Sequence, residues 1–147
     1  MIREYYQFKG VNIWILSKKL FIDILEDRIS DKFASQLIWT RLFYEKNKEL
    51  NSWLATSRTP IYWKELYKSA PQILFERKAA VHLTRSIPNE HKQSLKNLLG
   101  FNGYKISELN PRKTRRATLV NWLLSWQIIN NQELIKEGPI PLSNSSP

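Results

Sequence analysis

The stretch that most constrains this fold is residues 110–127, NPRKTRRATLVNWLLSWQ, where a cluster of cations runs directly into a long apolar segment. Asn110 is a preferred N-cap residue and Pro111 suits the first position of a helix, so a helix is predicted from Asn110 to about residue 130. Leu and Trp recur through the segment at helical spacing. The sequence therefore predicts one long helix that buries its Leu and Trp face.

The arginines of this helix lie on the same face as its apolar residues. At about 100° per residue, Arg112, Arg115 and Arg116 extend the stripe that contains Leu119 and Trp126, whereas a solvated charge run normally lies opposite such a stripe. Cations in the first turn also oppose the helix dipole, which costs about 0.3 to 1 kcal/mol each when they are exposed. A compensating negative charge is therefore expected here.

Two sources of that negative charge are compatible with the sequence. One is internal, with Glu76, Glu90, Glu108 and the acidic segment ILEDRISD (residues 24–31) as the candidates. The other is an external phosphate or carboxylate, because free backbone N–H groups and guanidinium forks both favour an anion at a helix start. The sequence leaves both interpretations open.

Positive charge is concentrated in one part of the chain. The net charge is +10, and residues 77–116 hold ten Lys and Arg against two Asp and Glu. Such a field favours a polyanion, an acidic protein face or an anionic membrane surface. The candidate anion-binding residues are Arg112, Lys113, Arg115 and Arg116, assisted by Arg77, Lys78 and Arg85. One basic concavity results if the two clusters lie side by side.

Hydrophobic periodicity is helical along most of the remaining chain. Ser17 and Ser30 are predicted N-caps of two helices that form a hairpin. Residues 45–60 lack a clean period and are predicted to form a loop that places Trp53 on the core. The expected fold is mainly α, a compact single-domain bundle of about five or six helices in which any strand content is minor.

The predicted organisation has three parts. Residues 1–16 are an N-terminal extension whose apolar run, VNIWIL, is too short for a signal peptide or a membrane span. Residues 17–130 form the single helical domain, and residues 131–147 are expected to be a mostly disordered C-terminal tail. The expectation that follows is a soluble cytoplasmic protein without a transmembrane segment.

The sequence contains no pattern typical of a catalytic or metal site. Cysteine is absent, which excludes disulfides, thiolate nucleophiles and cysteine metal ligands. His82 and His91 are nine residues apart without a matching carboxylate pattern, and the four glycines form no phosphate-binding loop. We therefore expect a protein that is not an enzyme, with no cofactor and no bound metal.

Three motifs in the chain are distinctive. They are ILEDRIS at residues 24–30, LTRSIP at residues 83–88, and LGF-x-GYKI-x-EL-x-PR-x-TRRAT followed by NWLL within residues 99–124. Together they resemble an uncharacterised family of cyanobacteria and plastids that is catalogued only as a domain of unknown function. The resemblance, which spans roughly residues 17–126, implies a cyanobacterial cytoplasm or a plastid stroma, and it assigns no catalytic residue.

The favoured hypothesis for function is a non-enzymatic module that binds a polyanion through the basic start of the last helix. Among polyanions, RNA is the favoured partner. The alternative is a protein-interaction or assembly factor that docks on an acidic face of a photosynthetic or ribosomal complex. The sequence does not indicate the oligomeric state. The anion site requires that Arg112, Arg115 and Arg116 are not all paired inside the fold.

Overall fold

Helices make up most of the regular structure of the described residues, and the strands of those residues form two short hairpins. The computed structural model describes residues 3–142. In that range, the α-helices are α1 (Lys18–Leu25), α2 (Asp31–Arg41), α3 (Ile61–Lys64), α4 (Arg77–Ser86), α5 (Ser94–Leu99) and α6 (Pro111–Ile129). The domain is therefore mainly α with a small β component.

Capping side chains fix the starts of α1 and α2. The Ser17 hydroxyl accepts a hydrogen bond from the Leu20 N–H at 3.1 Å, and the Ser30 hydroxyl accepts one from the Phe33 N–H at 3.1 Å. Each hydroxyl satisfies a backbone donor that the first helical turn leaves without a partner. Both predicted caps are confirmed.

A β-hairpin precedes α1. Strands β1 (Tyr5–Phe8) and β2 (Val11–Trp14) pair antiparallel, with Tyr5 opposite Trp14. They are joined by Lys9 and Gly10, which both have positive φ, at 48° and 82°. A two-residue turn of this kind matches the twist of a hairpin.

The hairpin, which lies in the N-terminal extension predicted for residues 1–16, packs into the domain. Ile13, Trp14 and Leu16 are buried, and the Trp14 ring meets the Phe33 ring edge-on at 5.0 Å between centroids. Trp burial of this kind contributes strongly to a core. The described residues before α1 are therefore part of the same packed unit.

Arg41 of α2 connects this hairpin to the helices. Its buried guanidinium donates to the Trp14 carbonyl at 2.6 Å and to the Leu37 carbonyl at 3.2 Å, and it lies 4.8 Å from the centre of the Trp126 ring. Within the described residues no carboxylate forms a salt bridge with it, and burial lowers the pKa of Arg41 to about 10. The surrounding carbonyls and rings take the place of a counter-ion.

A second hairpin replaces the loop predicted for residues 45–60. Strands β3 (Glu45–Asn47) and β4 (Ser52–Leu54) have three residues each. Strands of three residues are too short to show an alternating pattern, so the periodicity argument missed them. Trp53 packs against the core as expected, with its ring 5.7 Å from that of Trp39.

Helix α6 is the centre of the fold, and the predicted range of this helix is confirmed. Leu119, Val120, Leu123 and Leu124 are fully buried, and α6 contacts α1, α2, α4 and α5. In the described part of the chain, no helix has both the length and the hydropathy needed to cross a membrane. The apolar face of α6 is used inside the protein instead.

The segment after α6 also packs on the domain. The Lys18 N–H at the start of α1 donates to the Ile135 carbonyl at 2.9 Å. The Trp14 indole N–H donates to the Pro139 carbonyl at 3.1 Å. These contacts satisfy donors of the folded domain with backbone carbonyls of the tail.

The prediction that residues 131–147 are mostly disordered is therefore corrected for residues 131–142, while residues 143–147 lie outside the described range. Gly138 allows the close approach of this segment. A Cβ placed on it would lie 3.1 Å from Ile135 Cδ1 and 3.2 Å from Ser17 Cβ. A larger residue at this position would require the Ile135 or Ser17 side chain to shift by a few tenths of an ångström.

Truncation of the chain after Asn130 is expected to lower the free energy of unfolding by about 1–3 kcal/mol, because the Trp14 indole and the Lys18 N–H lose their partners. Urea denaturation followed by tryptophan fluorescence measures this change. Truncation after Leu142 is the matched control and is expected to change stability by less than about 0.5 kcal/mol. Equal stability of the two truncated chains would show that residues 131–142 contribute nothing.

Candidate nucleic-acid interface

The start of α6 has the predicted capped geometry. The Asn110 side-chain oxygen accepts a hydrogen bond from the Lys113 N–H at 2.8 Å, and Pro111 is the first helical residue. The Thr114 hydroxyl donates to the Asn110 carbonyl at 3.1 Å. This cap fixes the directions in which the following cations project.

Arg116 is completely buried between α6 and the turn that joins α1 to α2. Its guanidinium donates to the Ile24 carbonyl at 2.9 Å, to the Ile29 carbonyl at 2.6 Å and to the Asp31 carboxylate at 2.5 Å. The last turn of a helix leaves carbonyl oxygens without helical partners. Arg116 donates to carbonyls at the end of α1 and in the turn that follows it. This side chain therefore closes the α1–α2 turn and presents no surface to a ligand.

Arg112 forms a second ionic contact with the same turn. Its two terminal nitrogens donate to the two Asp27 oxygens, both at 2.7 Å, and its Nε–H donates to Asp31 at 3.0 Å. The hydrogen bonds from Arg112 hold the pKa of Asp27 below its ordinary value. Burial opposes ionisation of Asp31, but hydrogen bonds from Arg112 and Arg116 outweigh it and lower the pKa of that carboxyl.

We call Arg112, Arg116, Asp27 and Asp31 the arginine seam. Both of its carboxylates belong to the acidic segment of residues 24–31, so the negative charge expected at the start of α6 is internal for these two arginines. Arg112 and Arg116 are therefore corrected from candidate anion-binding residues to structural ones. The physical reason is that the terminal nitrogens of both arginines already donate to carboxylates or carbonyls of the fold, and Arg116 is fully buried.

Lys113 lies next to an acidic residue and a tyrosine ring. Its ammonium is 4.0 Å from a Glu108 carboxylate oxygen and 5.7 Å from the centre of the Tyr104 ring. An ion pair at this distance near the surface contributes little. Lys113 faces a cleft that Ile22 and Tyr104 also line, and none of the other candidate cations is among the residues that line it.

Arg115 points away from the seam and toward α4. Its guanidinium donates to the Leu74 carbonyl, just before α4, at 3.3 Å, and within the described residues it forms no salt bridge. Together with Arg77 it lines a groove of about 550 Å³ between α4 and α6. The two basic clusters of the sequence therefore meet in this groove through Arg77 and Arg115.

Helix α4 presents three further cations to solvent. Its inner side buries Ala79, Ala80 and Leu83. Arg77, Lys78 and Arg85, which we call the α4 cations, are exposed on its outer side, and none has a carboxylate partner in residues 3–142. The α4 cations and Arg115 together form what we call the basic face.

Helices α4 and α6 run in the same direction. Arg115 contacts the Leu74 carbonyl just before α4 begins, and the Trp122 indole N–H donates to the Ser86 hydroxyl at the end of α4, at 3.0 Å. Both helices therefore begin near the same end of the groove. Their free backbone N–H groups and dipoles add positive potential to that of the basic face.

The groove has further lining residues that the sequence argument did not identify, namely Thr84, Thr114, Thr118, Val81 and Leu109. The spacing of Thr114 and Thr118 is a signal for one shared helix face that was available in the sequence. The threonine hydroxyl oxygens can accept hydrogen bonds from a ligand while they donate to their own helix. The groove is thus basic, with hydroxyl groups and apolar patches along its walls.

Comparison with known proteins gives a family but no activity. Residues 15–128 match a family described as a domain of unknown function, DUF1823. The chain belongs to this family. A solution NMR structure is 41% identical in sequence, with a TM-score of 0.69, and the match covers 82% of this chain and 100% of that chain. No curated protein matches the chain.

The resemblance to an uncharacterised domain family is thus confirmed. The DUF1823 segment contains the whole arginine seam and the whole basic face. The β1–β2 hairpin precedes it, although that hairpin packs against the DUF1823 core. Residues outside the matched segment therefore complete the packed domain of this chain.

The two histidines of the DUF1823 segment are held by neighbouring groups. His82 Nε2 lies 2.7 Å from the Tyr62 carbonyl oxygen, and His91 Nδ1 lies 2.9 Å from the Ser125 hydroxyl. In the part of the chain that the structure describes, no cluster of three His, Cys, Asp or Glu side chains has the proximity needed to hold a metal ion. The histidines thus have hydrogen-bonding roles within the fold.

Proposed function

We propose that this DUF1823 protein is a non-enzymatic binding module for RNA and that its basic face binds the phosphate backbone. The observation that carries the proposal is the division of the cations into two sets. Arg112 and Arg116 are paired in the arginine seam, whereas the four cations of the basic face have no carboxylate partner among residues 3–142. Unpaired guanidinium groups around a groove favour phosphate.

The shape of the basic face favours RNA over a DNA duplex. Helix α4 buries its inner side, and a groove or cleft borders the cations of its outer side on each flank. Clefts that combine cations, hydroxyl groups and rings suit the exposed groups of folded or single-stranded RNA. From the motif resemblance, we also place the protein in a cyanobacterial cytoplasm or a plastid stroma.

Binding of labelled RNA, measured by fluorescence anisotropy across a salt series, tests the proposal. With four phosphate contacts, the slope of log affinity against log salt is expected to be about −3, which means a loss of about 50-fold between about 50 and 200 mM salt. Absence of RNA binding at the lowest salt would refute the proposal. Binding of duplex DNA as tightly as RNA would refute the choice of RNA.

A second candidate is an assembly factor that docks on an acidic protein. Large apolar side chains are exposed around the starts of α4 and α6, namely Phe75, Ile106 and Leu109. Apolar anchors beside cations are typical of protein interfaces. A pull-down from phototroph lysate, with and without nuclease, separates the two candidates. Retention of one defined acidic protein after nuclease treatment would favour the assembly factor.

A further inference from the structure

A second cleft, of about 520 Å³, lies between α4 and the residues that follow α3. All three α4 cations line it, together with Leu66, Tyr67, Val81 and His82. Its volume falls within the roughly 300 to 1,000 Å³ of clefts that hold small ligands. The cleft is therefore lined both by apolar and ring atoms and by cations that are proposed to bind phosphate.

The rings beside this cleft are held in place. The His82 ring stacks on the Tyr62 ring, with centroids 3.8 Å apart and planes 10° apart. His82 Nε2–H donates to the Tyr62 carbonyl at 2.7 Å, and the Tyr62 hydroxyl donates to the His82 carbonyl at 3.1 Å. The Trp63 ring meets His82 edge-on at 4.5 Å. This part of the cleft is preorganised, so a ligand would not have to order it.

Tyr67 adds a hydroxyl group whose hydrogen-bonding capacity is not used. Its side-chain oxygen is buried and, among the described residues, has no hydrogen-bond partner. Burial, with a smaller effect from the Glu76 carboxylate, raises the pKa of Tyr67, so the phenol keeps its proton. Buried polar groups without partners are uncommon in folded proteins and call for a specific explanation.

We propose that this cleft holds an unpaired base of single-stranded RNA while the α4 cations bind the adjacent phosphates. This inference rests on the proposed function and specifies its substrate. A nucleotide has an apolar planar base next to an anionic phosphate, and the cleft places ring and apolar atoms next to cations in the same way. Bases in a duplex are paired and stacked, and they do not enter such a cleft.

Three probes of equal length separate base contacts from phosphate contacts. They are an oligouridine of about 12 nucleotides, the same strand with abasic riboses, and a duplex RNA. Each is titrated with the full chain at one low salt concentration. The oligouridine is expected to bind about tenfold more tightly than either of the other probes.

Two variants and one control assign this preference to the cleft. Leu66→Ser is expected to remove most of the preference for bases and to leave the affinity for the abasic strand unchanged. Arg85→Gln is expected to weaken binding of both strands by the same factor. Leu50→Ser changes another exposed leucine, in the β3–β4 turn, and is expected to change neither affinity.

The outcomes distinguish failure of this inference from failure of the proposed function. Equal affinity for the oligouridine and the abasic strand would overturn the base-binding cleft and leave phosphate binding by the basic face intact. A base preference that Leu66→Ser does not reduce would also overturn the cleft. Absence of binding to all three probes at low salt would overturn both proposals.

Discussion

Replacing Arg116 with Ala is expected to lower the free energy of unfolding by about 3–5 kcal/mol, the range for removal of one partner of a buried ion pair. Arg116 is fully buried, and its loss leaves the Ile24 and Ile29 carbonyls without its hydrogen bonds and Asp31 with Arg112 alone. The space of a large side chain is also left empty. Chemical denaturation followed by far-UV circular dichroism measures the change.

Two matched substitutions make this test specific. Arg112→Ala is expected to destabilise less, by about 1 kcal/mol, because its side chain is 37% exposed and its ion pairs are partly solvated. Arg85→Ala removes an exposed arginine and is expected to change stability by less than about 0.5 kcal/mol. Equal effects of the Arg116 and Arg85 substitutions would contradict the assignment of Arg116 to the seam.

Replacing all four cations of the basic face with Gln is expected to weaken RNA binding by about 100-fold or more at low salt and to bring the salt slope close to zero. Each lost phosphate contact removes about 0.7 from that slope. Three of the four side chains are exposed, and none of the four forms a salt bridge with a described residue. We therefore expect the variant to keep its fold. Anisotropy titrations at several salt concentrations give both quantities.

The control for net charge is a second quadruple variant. Lys18, Lys46, Lys48 and Lys136 are exposed and lie outside the groove and the cleft of α4. Their replacement by Gln removes the same charge and is expected to weaken binding by less than about tenfold. A loss as large as that of the basic-face variant would show that binding depends on total charge and not on the α4 surface.

The sequence predicted the central helix well because its signals are local. The cap residue Asn110, the position of Pro111 and the helical spacing of apolar residues all lie within the helix itself. The helical spacing of about 100° per residue also showed that Arg116 lies on the buried face of this helix. A compensating negative charge was therefore expected there. The spacing did not select the source of that charge, because Asp31 is 85 residues away from Arg116 and only tertiary structure brings them together.

The errors of the sequence argument have different physical causes. The sequence of the β1–β2 hairpin contains signals typical of strands, because aromatic and β-branched residues are frequent in residues 5–14, on both sides of Lys9 and Gly10. The position of residues 131–142 had only weak signals, such as the apolar Leu134, because many of the contacts that hold this segment use backbone carbonyls, which any sequence supplies.

The candidate site was predicted only in part. The clustering of charge in the sequence identified the cations of α4 as candidates. The structure shows that they project from the outer side of that helix toward solvent. The cleft was not predicted, because its side chains come from two segments with no shared periodicity, one around Tyr67 and the other around His82. Such a site forms only when the two segments pack together.

The arginine seam also has a consequence for the order of folding. The contact between Arg116 and the Ile24 carbonyl joins residues 92 positions apart, and the other seam contacts span 81 to 89 positions. Closing loops this long costs chain entropy, so we expect these contacts to form late in folding. A growing chain that has not yet reached α6 therefore carries an α1–α2 turn whose carbonyls and carboxylates are still hydrated. Only synthesis of α6 supplies the two arginines that satisfy these groups.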